Sequence, residues 1–103
     1  MKLQAGQIVK MSGTRDKGFR IIDRITERWQ GDIDIICRQL AIKPKDNLLA
    51  GDKICYVYNV KGKSFVLYET NYMTTHMPNK VRQVLYKGGW LKIADYESLV
   101  EIN

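Results

Sequence analysis

The hydrophobic pattern along this chain repeats mainly every second position. Between Phe19 and Thr26, Phe19, Ile21 and Ile25 share one parity, interrupted by Asp23, while Arg20, Ile22 and Arg24 share the other. Between Asp32 and Arg38, Ile33, Ile35 and Cys37 line one face, with Asp32, Asp34 and Arg38 mostly opposite. Alternation over such lengths predicts half-buried strands. The intervening Glu27–Gly31 has the length of a hairpin connection. A turn centred on Trp29 sets Arg24 against Asp34 and Thr26 against Asp32, which pairs opposite charges across the outer face.

A second hairpin joins Lys53–Val60 to Lys63–Glu69 through Lys61-Gly62. Gly62 supplies the positive φ that a two-residue turn needs. Tyr58 then opposes Phe65 and Tyr56 opposes Leu67, with Cys55, Val57, Val66 and Tyr68 on the other face. Both faces are apolar or aromatic, which predicts a central position in the sheet. A short strand is expected at Gln7–Met11, and Ser12–Gly18 reads as a loop. Ala41–Gly51 and Glu69–Asn79 read as longer, polar loops of the kind that carry binding surfaces. Lys80–Tyr86 fits a strand, since β-branched and aromatic residues dominate. The alternative is a short helix over 80–87 ended by Gly88-Gly89. Trp90–Ala94 and Ser98–Ile102 read as closing strands.

The expected class is therefore mainly β: one domain over residues 1–103, a small barrel or β-sandwich with long middle loops. The 103 residues are 45% hydrophobic and 27% charged, ordinary for a globular chain with its own core. Cys37 and Cys55 both sit in apolar runs and read as buried thiols rather than a disulfide framework. With His76 as the only histidine, no zinc set is available, and no cofactor is expected. No apolar run approaches the roughly 20 residues that span a bilayer. Met1–Gln7 lacks an apolar signal core, so a cytoplasmic protein without membrane contact is expected.

Charge sharpens the functional reading. Of a formal net charge of +6, residues 53–92 carry seven basic side chains against the single acid Glu69. Residues after Lys92 add only acids: Asp95, Glu97 and Glu101. Tyr56, Tyr58, Phe65, Tyr68, Tyr72, Tyr86 and Trp90 interleave with the basic run. Cations among aromatics suit nucleic acid or an acidic protein surface. Lys61, Lys63, Lys80, Arg82, Lys87 and Trp90 are the candidate nucleic-acid contacts, forming one patch if the tips of the two late hairpins share an end. Arg28, Trp29, Tyr72 and His76 are the candidate contacts for a protein partner. Trp29 is either an exposed anchor at a hairpin tip or folded back over the barrel mouth. The Ser12–Lys17 loop offers Arg15, Lys17 and backbone N–H groups to a phosphate, or is only a solvated turn.

The opening Gly6-Gln7-Ile8-Val9-Lys10-Met11, a loop ending at Gly18, and Phe19-Arg20-Ile21-Ile22-Asp23-Arg24-Ile25 resemble the start of SH3-like barrels of the KOW or Tudor type. Trp90-Leu91-Lys92-Ile93 and Leu99-Val100-Glu101-Ile102 resemble their last strands. The resemblance covers about half the chain, and Ala41–Asn79 departs from a minimal barrel. It implies a non-enzymatic binding module for nucleic acid, a nucleoprotein machine or peptides. An adaptor or inhibitor docking through its loops is the alternative. The opening also resembles MazF-type toxin ribonucleases, although Phe19-Arg20-Ile21 stands where that family has an Arg-Pro-apolar strand. That resemblance would give His76, with Lys80, Arg82 and Tyr72, the role of a base with cationic helpers. A dimer is compatible with exposed edge strands.

Overall fold

The computed structural model describes residues 2–102; Met1 and Asn103 lie outside the described residues. Seven strands form one antiparallel sheet: β1 (Ile8–Met11), β2 (Phe19–Glu27), β3 (Ile33–Pro44), β4 (Lys53–Val60), β5 (Lys63–His76), β6 (Val81–Tyr86) and β7 (Gly89–Lys92). A terminal helix, α1 (Ile93–Ile102), follows directly. The spatial order is β4-β5-β3-β2-β1-β6-β7. The sheet is not closed into a barrel, because the edge strands β4 and β7 do not pair with each other. It is nevertheless curled: the Tyr56 hydroxyl on β4 donates to the Gly88 carbonyl beside β7 at 2.8 Å.

Bulges supply the curl. Asp23 on β2, Cys55 on β4 and Arg82 on β6 are each an extra residue against a regular partner strand. On β5, Thr70, Asn71 and Tyr72 together face Gln39. Each bulge bends its strand and increases the local twist. Bulges also reset parity, so Ile22 and Ile25 reach the same core although three residues apart.

The two sheet faces bury separate cores. Val9, Met11, Ile22, Ile35, Cys37, Val81 and Val84 form one, capped by Leu3 and by Tyr96 of α1. Ile8, Leu40 and Leu67 centre the other, with Phe19, Ile21, Tyr56, Tyr58 and Trp90 packed around them. The Lys61-Gly62 and Lys87-Gly88 turns both have positive φ at both residues (51° and 80°, 49° and 80°). That is the type I′ geometry whose twist matches the flanking strands.

Several expectations need correction. The β4–β5 hairpin has the expected two-residue turn and the expected Tyr58–Phe65 and Tyr56–Leu67 pairs. It is not central, however: β4 is an edge. Its second face is apolar and only partly covered, with Val66 buried but Ile54 and Val57 exposed, and the Cys55 bulge turns that side chain toward the Tyr56 core. The expected loop Glu69–Asn79 is strand through His76, because β3 and β5 pair from Ile35–His76 to Pro44–Phe65. The expected loop Ala41–Gly51 is strand only as far as Pro44, and a 3-10 turn at Lys45–Asn47 and an irregular connection follow. Residues 81–86 are strand, so there is no helix at 80–87. The hairpin turn there is Lys87-Gly88, not Gly88-Gly89.

The closing strand at Ser98–Ile102 is instead part of α1. Ile93, Tyr96 and Val100 follow the i, i+3, i+7 spacing of one helical face and pack on the first core. Asp95 in the first turn suits the positive end of the helix dipole. The Tyr96 hydroxyl accepts from Gln7 Nε2 at 2.6 Å and donates to the Lys2 carbonyl at 3.0 Å, tying α1 to the start of the chain.

Candidate functional site

Paired and unpaired cations occupy different places on the sheet. Arg20 on β2 is buried, 4% exposed. Its guanidinium donates to both Asp16 carboxylate oxygens, at 2.7 and 3.0 Å, and to the Phe19 carbonyl at 2.9 Å. Its Nε–H donates to Thr74 Oγ1 at 3.1 Å and His76 Nε2 at 3.3 Å on β5. A buried guanidinium is tolerable because the fork is paired and hydrogen-bonded. The Arg20 hydrogen bonds hold the Asp16 carboxyl at about 2, well below its usual 3.8. Burial, then the Arg20 charge, pushes the His76 imidazole below its usual range. His76 is thus a neutral acceptor inside a polar network. Its Nε2 is occupied by Arg20 and by Thr74 Oγ1 at 2.9 Å, which leaves Nδ1 as the nitrogen outside this network.

Arg28 and Arg38 are likewise paired. Arg28 grips Asp34 with two bonds, 2.8 and 2.9 Å. Arg38 reaches Glu69 at 3.1 Å, and Lys53 reaches the other Glu69 oxygen at 3.0 Å. Arg24 does not meet Asp34 as expected: it pairs with Asp23 at 2.7 Å. The loop closes through Arg28 N–H to the Asp32 carbonyl and Gly31 N–H to the Arg28 carbonyl. That closure sets Thr26, rather than Arg24, opposite Asp34.

The remaining cations of the basic stretch are a different population. Among the described residues, Lys61, Lys63, Lys80, Arg82, Lys87 and Lys92 make no ion pair, and neither do Arg15 and Lys17. They do not all come together. Lys80 and Lys87 sit at opposite ends of β6, roughly 20 Å apart at about 3.3 Å per residue. Lys61 and Lys63 flank the β4–β5 tip, five residues beyond the Tyr56–Gly88 contact.

Lys80 and Arg82 do join the Ser12–Gly18 loop. Backbone N–H of Ser12 donates to the Lys80 carbonyl at 2.8 Å. The Lys80 ammonium lies over Gly13, where an added Cβ would be 3.9 Å from Nζ. Arg82 is the exposed bulge residue beside Met11, the last residue before the loop. Gly18 closes the loop with its carbonyl on Met11 N–H at 2.7 Å. Its φ of 83° and the Met11 carbonyl against its Cα exclude any side chain there. Asp16 anchors the loop from within by its bonds to Arg20 and to Gly18 N–H. Arg15 and Lys17 flank that anchor. The Asp16 pair with the buried Arg20 guanidinium thus shapes the segment that carries Arg15 and Lys17, while β1–β6 pairing brings Lys80 and Arg82 beside it; the reading of the loop as a solvated turn left both out.

The remaining candidates lie elsewhere. Trp29 is 92% exposed at the β2–β3 tip, resolving the two readings of that residue toward exposure. Met77, also exposed, lines a groove of about 320 Å³ with Arg28, Asp32 and Ile33 below that tip. Tyr72 projects from the β5 bulge, where Thr70 Oγ1 bonds the Gln39 carbonyl. Trp90 is half-buried, tilted against Phe19 with centroids 5.4 Å apart. Cys37 is fully buried, and burial pushes its thiol up to about 12; Cys55 is half-buried rather than buried. Among the described residues no group of three or more His, Cys, Asp or Glu could hold a metal, and no helix is long and apolar enough to cross a membrane.

Comparison with family models, with curated proteins and with solved structures finds no match to this chain.

Proposed function

We propose that this chain is a non-enzymatic binding module for nucleic acid, with Arg15, Lys17, Lys80 and Arg82 around the Ser12–Gly18 loop as its principal phosphate contacts. The observation that carries this reading is the segregation of charge. Arg20, Arg24, Arg28 and Arg38 are each paired with a carboxylate, while these four cations have no ion pair among the described residues. Phosphate binding by such side chains gains from counterion release and needs no pre-formed cavity. Lys87, Lys61 and Lys63 extend contact beyond the loop only for a ligand long enough to follow the surface. The resemblance of Gly6–Met11, Phe19–Ile25 and the closing residues to SH3-like barrels of the KOW or Tudor type would suit this use.

The test is fluorescence anisotropy of labelled single-stranded and duplex oligonucleotides, repeated from low to physiological salt. Four phosphate contacts predict a log–log slope of about −4 on duplex and about −3 on single strands. Absence of binding to either at low salt removes the proposal.

A second reading has its own observation. Trp29, nearly free of contacts at a hairpin tip and flanked by a bidentate Arg28–Asp34 pair, is a ready anchor for a protein partner. It predicts capture of one protein that survives nuclease treatment and is lost in Trp29→Ala.

A further inference from the structure

We infer that the free edge of β4 accepts an extended acidic peptide from a partner protein as an additional strand. This site is independent of the loop proposed above. β4 pairs only with β5, so one side of its backbone has no strand partner. The two-residue turn makes Val60–Lys63 and Tyr58–Phe65 the hydrogen-bonded pairs of the hairpin. Val57 and Asn59 lie in the alternate pairs, so their N–H and C=O groups point to the open side.

Apolar side chains stand on both faces of this edge. Ile54 and Val57 are 48% and 44% exposed on the face that carries buried Val66 and Tyr68. On the other face Val60 is 44% exposed beside the Tyr56–Tyr58 stack. An added strand can therefore place alternate residues against each face, as strand addition requires. The opposite edge, β7, offers only Gly89–Lys92 before the chain turns into α1.

Charge selects the occupant. Lys61 and Lys63 flank the tip of the hairpin and make no ion pair among the described residues. Lys53, at the far end of β4, is already held by Glu69 at 3.0 Å, so the free positive charge lies at the tip end only. A second copy of this chain is disfavoured, since residues 53–61 contain no acid and antiparallel self-pairing centred on Val57 gives the free Lys61 of each copy no carboxylate partner on the other strand. Lysines on an edge deter that kind of pairing. A peptide of alternating β-branched residues with acids at one end satisfies the backbone, both faces and the tip.

The test is an amide-shift titration of the full chain with a seven-residue synthetic peptide of alternating valine and threonine carrying two glutamates at one end. Its partners are the same peptide with lysines for glutamates, and one with proline at alternate positions. The expected result is shifts confined to residues 54–63, binding at least ten-fold weaker for the lysine peptide, and none for the proline peptide. The double variant Lys61→Glu/Lys63→Glu should reverse the charge preference while leaving the amide spectrum of the two cores in place. Equal binding of both charged peptides, shifts outside residues 54–63, or β4 shifts that grow with protein concentration alone would each overturn the proposal. An oligonucleotide titration read on the same spectra should move residues 12–18 and 80–82 and leave β4 still, so the two sites fail or stand separately.

Discussion

Arg20 and Lys80 carry the same charge and do opposite things. Arg20 is sealed in the sheet and answered by Asp16, Thr74 and His76; Lys80 lies a few residues further along the same chain of contacts and is answered by nothing ionic among the described residues. The difference follows from the side chains. A planar guanidinium can fill several hydrogen bonds at once and survive burial, whereas an ammonium is a strongly hydrated point charge that stays in water. A formal charge of +6 therefore overstates the paired cations Arg20, Arg24, Arg28, Arg38, Lys43 and Lys53 as ligand contacts. The Arg20–Asp16 pair acts as the support and the exposed cations as the surface it presents.

Breaking the support should have the largest effect. Asp16→Asn leaves the buried Arg20 guanidinium without its counter-charge, at a cost of about 3 kcal/mol. Thermal unfolding should shift down by more than about 10 °C, given roughly 4–8 °C per kcal/mol for a chain of this size. A change under about 3 °C would mean the pair is not a support.

Removing exposed cations should do the reverse. Lys80→Glu with Arg82→Glu should cost at least ten-fold in oligonucleotide affinity at low salt while unfolding within about 3 °C of the parent. If both quantities fall together, the comparison between the two populations is wrong.

Acid should probe the support in two stages. The His76 imidazole is held below its usual 6.5, so the unfolded chain binds more protons there. Stability should be complete above about pH 6.5 and decline as pH falls through that value. Asp16, held at about 2 instead of 3.8, adds a second loss as pH falls from about 4 toward 2. Denaturant midpoints from pH 8 to 2 would show both, and His76→Gln should remove the first. A midpoint flat from pH 7 to 5 would contradict the His76 assignment.

The smallest effect belongs to the tip. Trp29→Ala should change stability by less than about 0.5 kcal/mol, because the ring has almost no intramolecular contact to lose. A larger loss, read by denaturant melts, would mean that Trp29 packs on the protein in solution.

Much of this contrast was legible in the residue pattern. Period-two runs identify β2, β3 and the β4–β5 hairpin down to the Tyr58–Phe65 pair, because alternation and turn chemistry are local. The length of β3 and β5 was not legible: Thr70–His76 is too polar to read as strand, yet the ladder with β3 satisfies its backbone regardless of side chain. α1 was hidden because Leu99-Val100-Glu101-Ile102 also alternates, while its true signal is the spacing of Ile93, Tyr96 and Val100. Burial of Arg20 escaped notice although Arg20 shares parity with Ile22. The available clue was Asp16, four residues earlier, ahead of a glycine that folds it back. Lys80 and Arg82 were legible as cations. Their neighbourhood with Arg15 and Lys17 depends on β1 pairing with β6, a contact that no local pattern announces.

The central claim is that the cations without carboxylate partners, and not the paired ones, meet the ligand. It is tested most directly by the salt dependence of duplex binding, compared between the parent and Lys80→Gln/Arg82→Gln. Loss of two phosphate contacts predicts a log–log slope shallower by about 1.8. An unchanged slope would contradict it and leave the basic stretch without a nucleic-acid role at this loop.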